Sequence, residues 1–153
     1  MQIITPDAIL SPTEIFKDHS IAFDTKIRAI APLNELLQSY PEAEINKLPE
    51  HALVMPGLIN PHVHLEFSAN KTELNYGSFL PWLYSVIEKR DELISGCDTG
   101  CMKKAINSML ASGITAFGAV SSYAFDLEAA AAAPQKVVFF NELIGSQAVM
   151  ADT

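Results

Sequence analysis

The chain opens with short apolar pieces set between turn-forming residues. Ile3-Ile4, Ala8-Ile9-Leu10 and Ile21-Ala22-Phe23 are brief and β-rich, and Lys26-Ile27-Arg28-Ala29-Ile30 alternates polar with apolar. That period of two is the pattern of a half-exposed strand. Leu33, Leu36 and Leu37 then recur at helical steps, which predicts a helix over 33–40 that Pro41 ends. Residues 1–53 therefore read as a small strand-rich unit.

The texture changes at Leu53-Val54-Met55-Pro56-Gly57, and from residue 54 onward apolar strands alternate with longer amphipathic helices. Leu58 to Leu65 is the first expected strand. Ser78 is placed to cap a helix whose apolar residues are Phe79, Trp82, Leu83, Val86, Ile87, Leu93 and Ile94, with Pro81 tolerated in its first turn. Asp98 is placed to cap a second helix that buries Met102, Ile106, Met109 and Leu110 and stops at Gly113. A strand from Ile114 to Val120, a short helix from Phe125 to Ala133 and a strand from Lys136 to Ile144 complete a β-α-α-β-α-β order. Alternation of this kind is the signature of an α/β fold with a parallel sheet.

Composition narrows the function classes. Of 153 residues, 49% are hydrophobic and 18% charged, which promises a packed core and excludes a disordered chain. Eighteen acidic against ten basic side chains give a net charge of -8 and argue against a nucleic-acid partner, which needs a basic face. No apolar run reaches the roughly 18 residues of a membrane span, and the first residues do not form a secretory signal. Cys97 and Cys101 are too few for a disulfide framework, so they read as ordinary thiols in a reducing cytoplasm. His19, His51 and the scattered acidic residues read as solvated surface.

The chemistry concentrates in Asn60-Pro61-His62-Val63-His64-Leu65-Glu66. On a strand, Leu58, Asn60, His62 and His64 share one face, and the wholly apolar Ile59, Pro61, Val63 and Leu65 share the other, as a helix-covered strand requires. Two imidazoles about 7 Å apart along the backbone can tilt onto one ion, and the carboxyl end of a parallel strand is where α/β enzymes place their chemistry. Spacing alone leaves metal binding and two ordinary histidines both open.

Val54-Met55-Pro56-Gly57-Leu58-Ile59-Asn60-Pro61-His62-Val63-His64-Leu65-Glu66 closely resembles the opening phrase of the amidohydrolase superfamily. Phe67-Ser68-Ala69-Asn70-Lys71, followed by Tyr76-Gly77-Ser78-Phe79-Leu80-Pro81-Trp82-Leu83, resembles its chlorohydrolase and aminopurine-deaminase branch, most closely the aminodeoxyfutalosine deaminases. The resemblance implies part of a small β-sandwich over 1–53 and the first three βα units of an incomplete (β/α)8 TIM barrel over 54–153. It also implies one divalent metal ion, zinc or iron, with His62 and His64 as its first two ligands. Later ligands and the acid–base residues are expected beyond Thr153, so these residues alone are expected to be inactive.

The implied activity is hydrolytic deamination of an aminopurine nucleoside, 6-amino-6-deoxyfutalosine to futalosine and ammonia, in menaquinone synthesis. Methylthioadenosine or S-adenosylhomocysteine deamination, guanine deamination and triazine-type chlorohydrolysis are the alternatives within the class. A non-catalytic binding module is the alternative outside it. A small-molecule substrate, a homodimer and a cytoplasmic setting complete the expectation. Glu66, one step further along the histidine face and placed to orient substrate or a metal ligand, Trp82 in the helix after the loop, and Glu142 at the end of the third strand are the candidate substrate contacts. Ser121 and Ser122 read as turn residues.

Overall fold

The computed structural model describes residues 1–71, 74–122 and 124–142. The chain forms two compact units, Met1–Pro56 and Gly57–Thr153. In the first, the order is β1 (Gln2–Thr5), β2 (Ala8–Leu10), β3 (Ile15–Lys17), β4 (Ser20–Phe23), β5 (Ile27–Ala31), α1 (Leu33–Ser39), β6 (Glu44–Lys47) and β7 (Leu53–Val54). One sheet has the strand order β5-β4-β1-β6 and a second the order β3-β2-β7. Ile3 of β1, Ala22 of β4 and Leu36 of α1 form the buried centre of the larger sheet. Asp24 turns the chain between β4 and β5: its carboxylate accepts from the Lys26 amide at 2.9 Å and from the Arg28 guanidinium at 3.0 and 2.8 Å. The guanidinium bond, helped by the amide, holds the Asp24 carboxyl down at about 2.

β3 and β6 have no counterpart in the sequence expectation. Ile15-Phe16-Lys17 is too short to show alternation, and all four residues of β6 are exposed, so no burial pattern marks them. His19 and His51 have local partners: His19 Nδ1 lies 2.7 Å from the Lys17 carbonyl, and the His51 amide donates to the Asp7 carboxylate.

The second unit runs β8 (Leu58–Val63), a 3-10 turn over Leu65–Phe67, α2 (Phe79–Ser95), α3 (Thr99–Ala111), β9 (Ile114–Ser121), α4 (Leu127–Ala131) and β10 (Lys136–Asn141). Its three strands are parallel in the order β10-β9-β8. Leu65, Met102, Ile106, Phe117, Ala119, Ala129 and Ala130 make one core in which α3 and α4 cover the sheet. The alanine run thus has a packing reason: Ala129 and Ala130 are small enough to let α4 close on the strands. Asp98 caps α3, accepting from the Cys101 amide at 2.8 Å, and Gly113 leaves the helix with φ +86°, the left-handed conformation glycine adopts without strain. Ser78 occupies the cap position of α2, but its hydroxyl makes no capping bond.

Several expectations change here. The first strand ends at Val63 rather than Leu65, because the chain turns into the 3-10 segment. The apolar face of that strand is only partly covered: Val63 and Leu65 join the core, whereas Ile59 is 71% exposed and Pro61 is exposed, since β8 is an edge of the described sheet. Cys97 and Cys101 form a disulfide across the start of α3, their Cα atoms 5.4 Å apart. The helix start brings residues four apart within the reach of a disulfide, a geometry that the count of cysteines does not reveal. The strand expected over 136–144 is β10 as far as Asn141, and Ile144 lies outside the described residues. Among the described residues no helix is long and apolar enough to cross a membrane.

One contact sets the register of β8. Asn60 pairs with Phe117 but Val63 pairs with Ala119, so β8 carries one residue more than β9 between these two pairs. The extra length fits because position 118 is glycine: a Cβ there would lie 2.3 Å from the Pro61 carbonyl oxygen. Gly118→Ala is therefore expected to destabilise the protein by about 1–3 kcal/mol, the usual cost of overpacking. Denaturant unfolding measures it, and an unchanged midpoint would show that β8 moves aside freely.

Candidate metal centre

The residues after the bulge build the site. His62 is exposed at the end of β8, His64 follows just outside the strand, and Glu66 lies in the 3-10 turn beneath them. The two imidazoles converge, with His62 Nε2 and His64 Nε2 3.2 Å apart. Two nitrogens about 2.0–2.1 Å from one tetrahedral ion would lie roughly 3.3 Å apart, close to the separation of this pair. Among the described residues no group of three His, Cys, Asp or Glu converges in this way, so His62 and His64 are the donors the described residues bring together.

Behind the pair, His64 Nδ1 donates to Glu66 Oε1 at 3.2 Å, and the Glu66 side chain is 3% exposed against 24% for His64. That hydrogen bond is the main reason the His64 imidazole holds its proton more tightly than usual; burial opposes it, and the charges of Glu66 and Glu142 add to it. With Nδ1 as the donor, the lone pair of neutral His64 sits on Nε2, facing His62. The ring also stacks on Phe67, centroids 5.2 Å apart at 18°, and the Arg90 guanidinium lies 5.9 Å from that same Phe67 ring. His64 is thus fixed by a hydrogen bond at one edge and an aromatic face on one side.

The other sequence candidates divide. Glu66, a candidate to orient substrate or a ligand, is buried as a partner of His64 rather than facing outward, because the strand parity ends at Val63. Glu142 follows β10, its amide donating to the Ser121 carbonyl at 2.7 Å and its carboxylate accepting from the Ser122 hydroxyl at 2.9 Å. Its charge is felt at His64, so it belongs to the same end of the sheet. Ser122, expected to be a plain turn residue, holds that carboxylate. Trp82 is half-buried on α2, and among the described residues its aromatic neighbour is Phe79 on the same helix, 5.9 Å away.

Sequence reasoning missed Asp126, placed among solvated acids but fully buried just before α4. Burial pushes its carboxyl up and the charge of Glu66 adds to this, while the nearby Ser121 hydroxyl and His64 oppose it. Glu66 Oε2 has no hydrogen-bond partner among the described residues. An acid immediately ahead of an alanine-rich helix was the one available signal, and it reads equally well as a helix cap.

Parallel strands with helices over the sheet and two converging histidines at a strand's carboxyl end define the class. The chain belongs to the amidohydrolase family, whose profile matches residues 53–153. It is 50% identical over 152 residues to an aminodeoxyfutalosine deaminase of a Nitratiruptor species, covering 99% of this chain and 37% of that protein. It is 34% identical over 133 residues to an adenosine deaminase of Helicobacter pylori, covering 87% of this chain and 32% of that one. The crystal structure of the Helicobacter pylori aminofutalosine deaminase in complex with methylthio-coformycin superposes with a TM-score of 0.87 at 31% identity, over 96% of this chain and 36% of that one. The chain thus spans about a third of the length of these relatives.

The Glu66 contact makes a checkable statement about His64. In the metal-free protein the neutral ring is expected to carry its proton on Nδ1, as read by long-range proton–nitrogen correlation. Glu66→Ala is expected to move it toward the Nε2–H form. A proton found on Nε2 in the unmodified protein would contradict the assignment.

Proposed function

We propose that this chain is the amino-terminal portion of a metal-dependent hydrolytic deaminase acting on an aminopurine nucleoside. The preferred substrate is 6-amino-6-deoxyfutalosine, converted to futalosine and ammonia in menaquinone synthesis. The observation that carries the reading is the convergence of His62 and His64 at 3.2 Å with Glu66 bonded behind them. The 50% identity to an aminodeoxyfutalosine deaminase supports the choice of substrate. The two small sheets of the first unit are, on this reading, part of a β-sandwich, and the three parallel strands are the start of a (β/α)8 barrel. A homodimer in the cytoplasm goes with it.

His62 and His64 would hold the ion, zinc or iron, through their Nε2 atoms. Such an ion, when bound, supplies the Lewis acidity that makes water nucleophilic near neutral pH. The residues of this chain do the rest of what it contributes. Glu66 fixes the tautomer and tilt of His64, so the ligand's lone pair is aimed before any ion arrives. Glu142, oriented by Ser122, offers a carboxylate that accepts hydrogen bonds from a substrate, and Trp82 is kept as a candidate wall of the pocket. In the net reaction, water adds its oxygen to the ring carbon that bears the amine, the carbon–nitrogen bond breaks, and the nitrogen leaves as ammonia. Two imidazoles are too few ligands for a catalytic ion, so the described residues alone are expected to be inactive.

The test uses the full-length protein. It is expected to contain about one divalent ion per subunit, lost in the His62→Ala/His64→Ala double variant, as metal analysis reads directly. Ammonia release is then compared for aminodeoxyfutalosine, adenosine, methylthioadenosine, S-adenosylhomocysteine, guanine and an aminotriazine. No release from aminodeoxyfutalosine would overturn the substrate, with adenosine favoured next by the Helicobacter pylori relative. No bound metal in the unmodified protein, with unchanged behaviour of the double variant, would point instead to a non-catalytic module.

A further inference from the structure

The Cys97–Cys101 bond lies against the turn that carries Glu66. Cys97, in the short link between α2 and α3, is 5% exposed and belongs to the same core as Leu65, Met102 and Phe117. Its Sγ lies 3.7 Å from the Leu65 carbonyl oxygen. That oxygen also accepts from the Ser68 amide at 3.1 Å, the bond that closes the 3-10 turn. Glu66, the next residue of the turn, reaches His64 at 3.2 Å. Cys101 is half-buried on the first turn of α3, its amide bonded to Asp98 at 2.8 Å. A disulfide sulfur has no hydrogen to donate, whereas a thiol has one. Cys97 therefore has two alternative partners, the sulfur of Cys101 and the carbonyl of Leu65. A bond between residues only four apart closes a short loop and constrains the unfolded chain little, so this one is poorly placed as a staple.

We propose that Cys97–Cys101 is a reversible redox site, exchanged by a low-molecular-weight thiol, whose state sets how firmly the 3-10 turn is held. Cys101 is the more accessible of the two sulfurs, so the thiolate of the reductant attacks there. The Cys97–Cys101 bond breaks, a new one forms between Cys101 and the reductant, and Cys97 leaves as a thiolate that takes up the proton the reductant gave up. A second reductant thiolate attacks the reductant's own sulfur in that mixed disulfide, releases Cys101, and departs as the oxidised reductant. Two electrons have then passed to the protein's sulfurs. The new Cys97 thiol donates to the Leu65 carbonyl, so reduction loosens the start of α3 and tightens the turn, and oxidation does the reverse. In the cytoplasmic setting proposed above, a disulfide is ordinarily a transient, redox-sensing bond. The inference needs neither a bound ion nor deaminase activity.

The test is hydrogen exchange of the full-length protein in mixtures of reduced and oxidised glutathione. It is read by mass spectrometry on peptides spanning residues 64–70 and 98–104, with circular dichroism following the fold. The bond is expected to open and re-form reversibly while the protein stays folded. On reduction the 64–70 peptide should exchange about 2–5-fold more slowly, the worth of one weak hydrogen bond, and the 98–104 peptide faster. Cys101→Ser leaves Cys97 a thiol and should show the slow turn with no reductant present. Cys97→Ala removes the donor and should abolish the difference between redox states at 64–70. Should Cys97→Ala fail to fold, the Cys101→Ser result decides alone, since its turn must be slow and indifferent to glutathione. A bond that opens only on unfolding, or that never forms in oxidised glutathione, overturns the proposal. So does a 64–70 peptide that is unchanged by reduction, or one that speeds up together with the start of α3, which marks general loosening.

Discussion

The approach of the Pro61 carbonyl to Gly118 is the constraint on which the site depends. Because no side chain stands at 118, β8 accommodates an extra residue and returns to register only at Val63, its last position in the strand. His62 therefore lies within the irregular stretch and His64 just beyond the ladder, where neither is bound to the straight geometry of a strand. Here their ring nitrogens meet at 3.2 Å.

Packing beneath the bulge turns that convergence into a fixed geometry. Leu65 is wholly buried and anchors the 3-10 turn, which keeps Glu66 under His64. The small side chains of Ala129 and Ala130 let α4 approach the sheet, and this brings Asp126 into the interior. Gln135 closes the far side, its amide donating to the Ile106 carbonyl at 2.8 Å. Apolar burial supplies the cohesion, while the direction of each polar group comes from a few hydrogen bonds that burial would otherwise leave unmade.

Carboxylates gather around the histidine end of the second unit. Glu66 and Asp126 are fully enclosed, and Glu142 stands half-buried at the end of β10, held by Ser122. Enclosed acids favour a cation near the histidines and make water a poor competitor for their field. Arg90, over the Phe67 ring, opposes this excess in part, its charge working against the raised proton affinity of His64.

The sequence by itself determined the strand and helix order of the second unit, the Asp98 cap, the Gly113 stop and the histidine pair, because each rests on near neighbours in the chain. Helical steps, a capping carboxylate and a His-x-His phrase are all local signals. It could not show β3 and β6, whose residues are short or exposed on both faces, nor the Cys97–Cys101 bond, which follows from how α3 begins. Only the tertiary structure decided that Glu66 turns inward and that Asp126 is buried. Strand parity sent Glu66 outward until the chain left the strand, and the depth of Asp126 depends on how closely α4 packs. Proximity along the chain is written in the sequence, but burial is a property of what other segments cover.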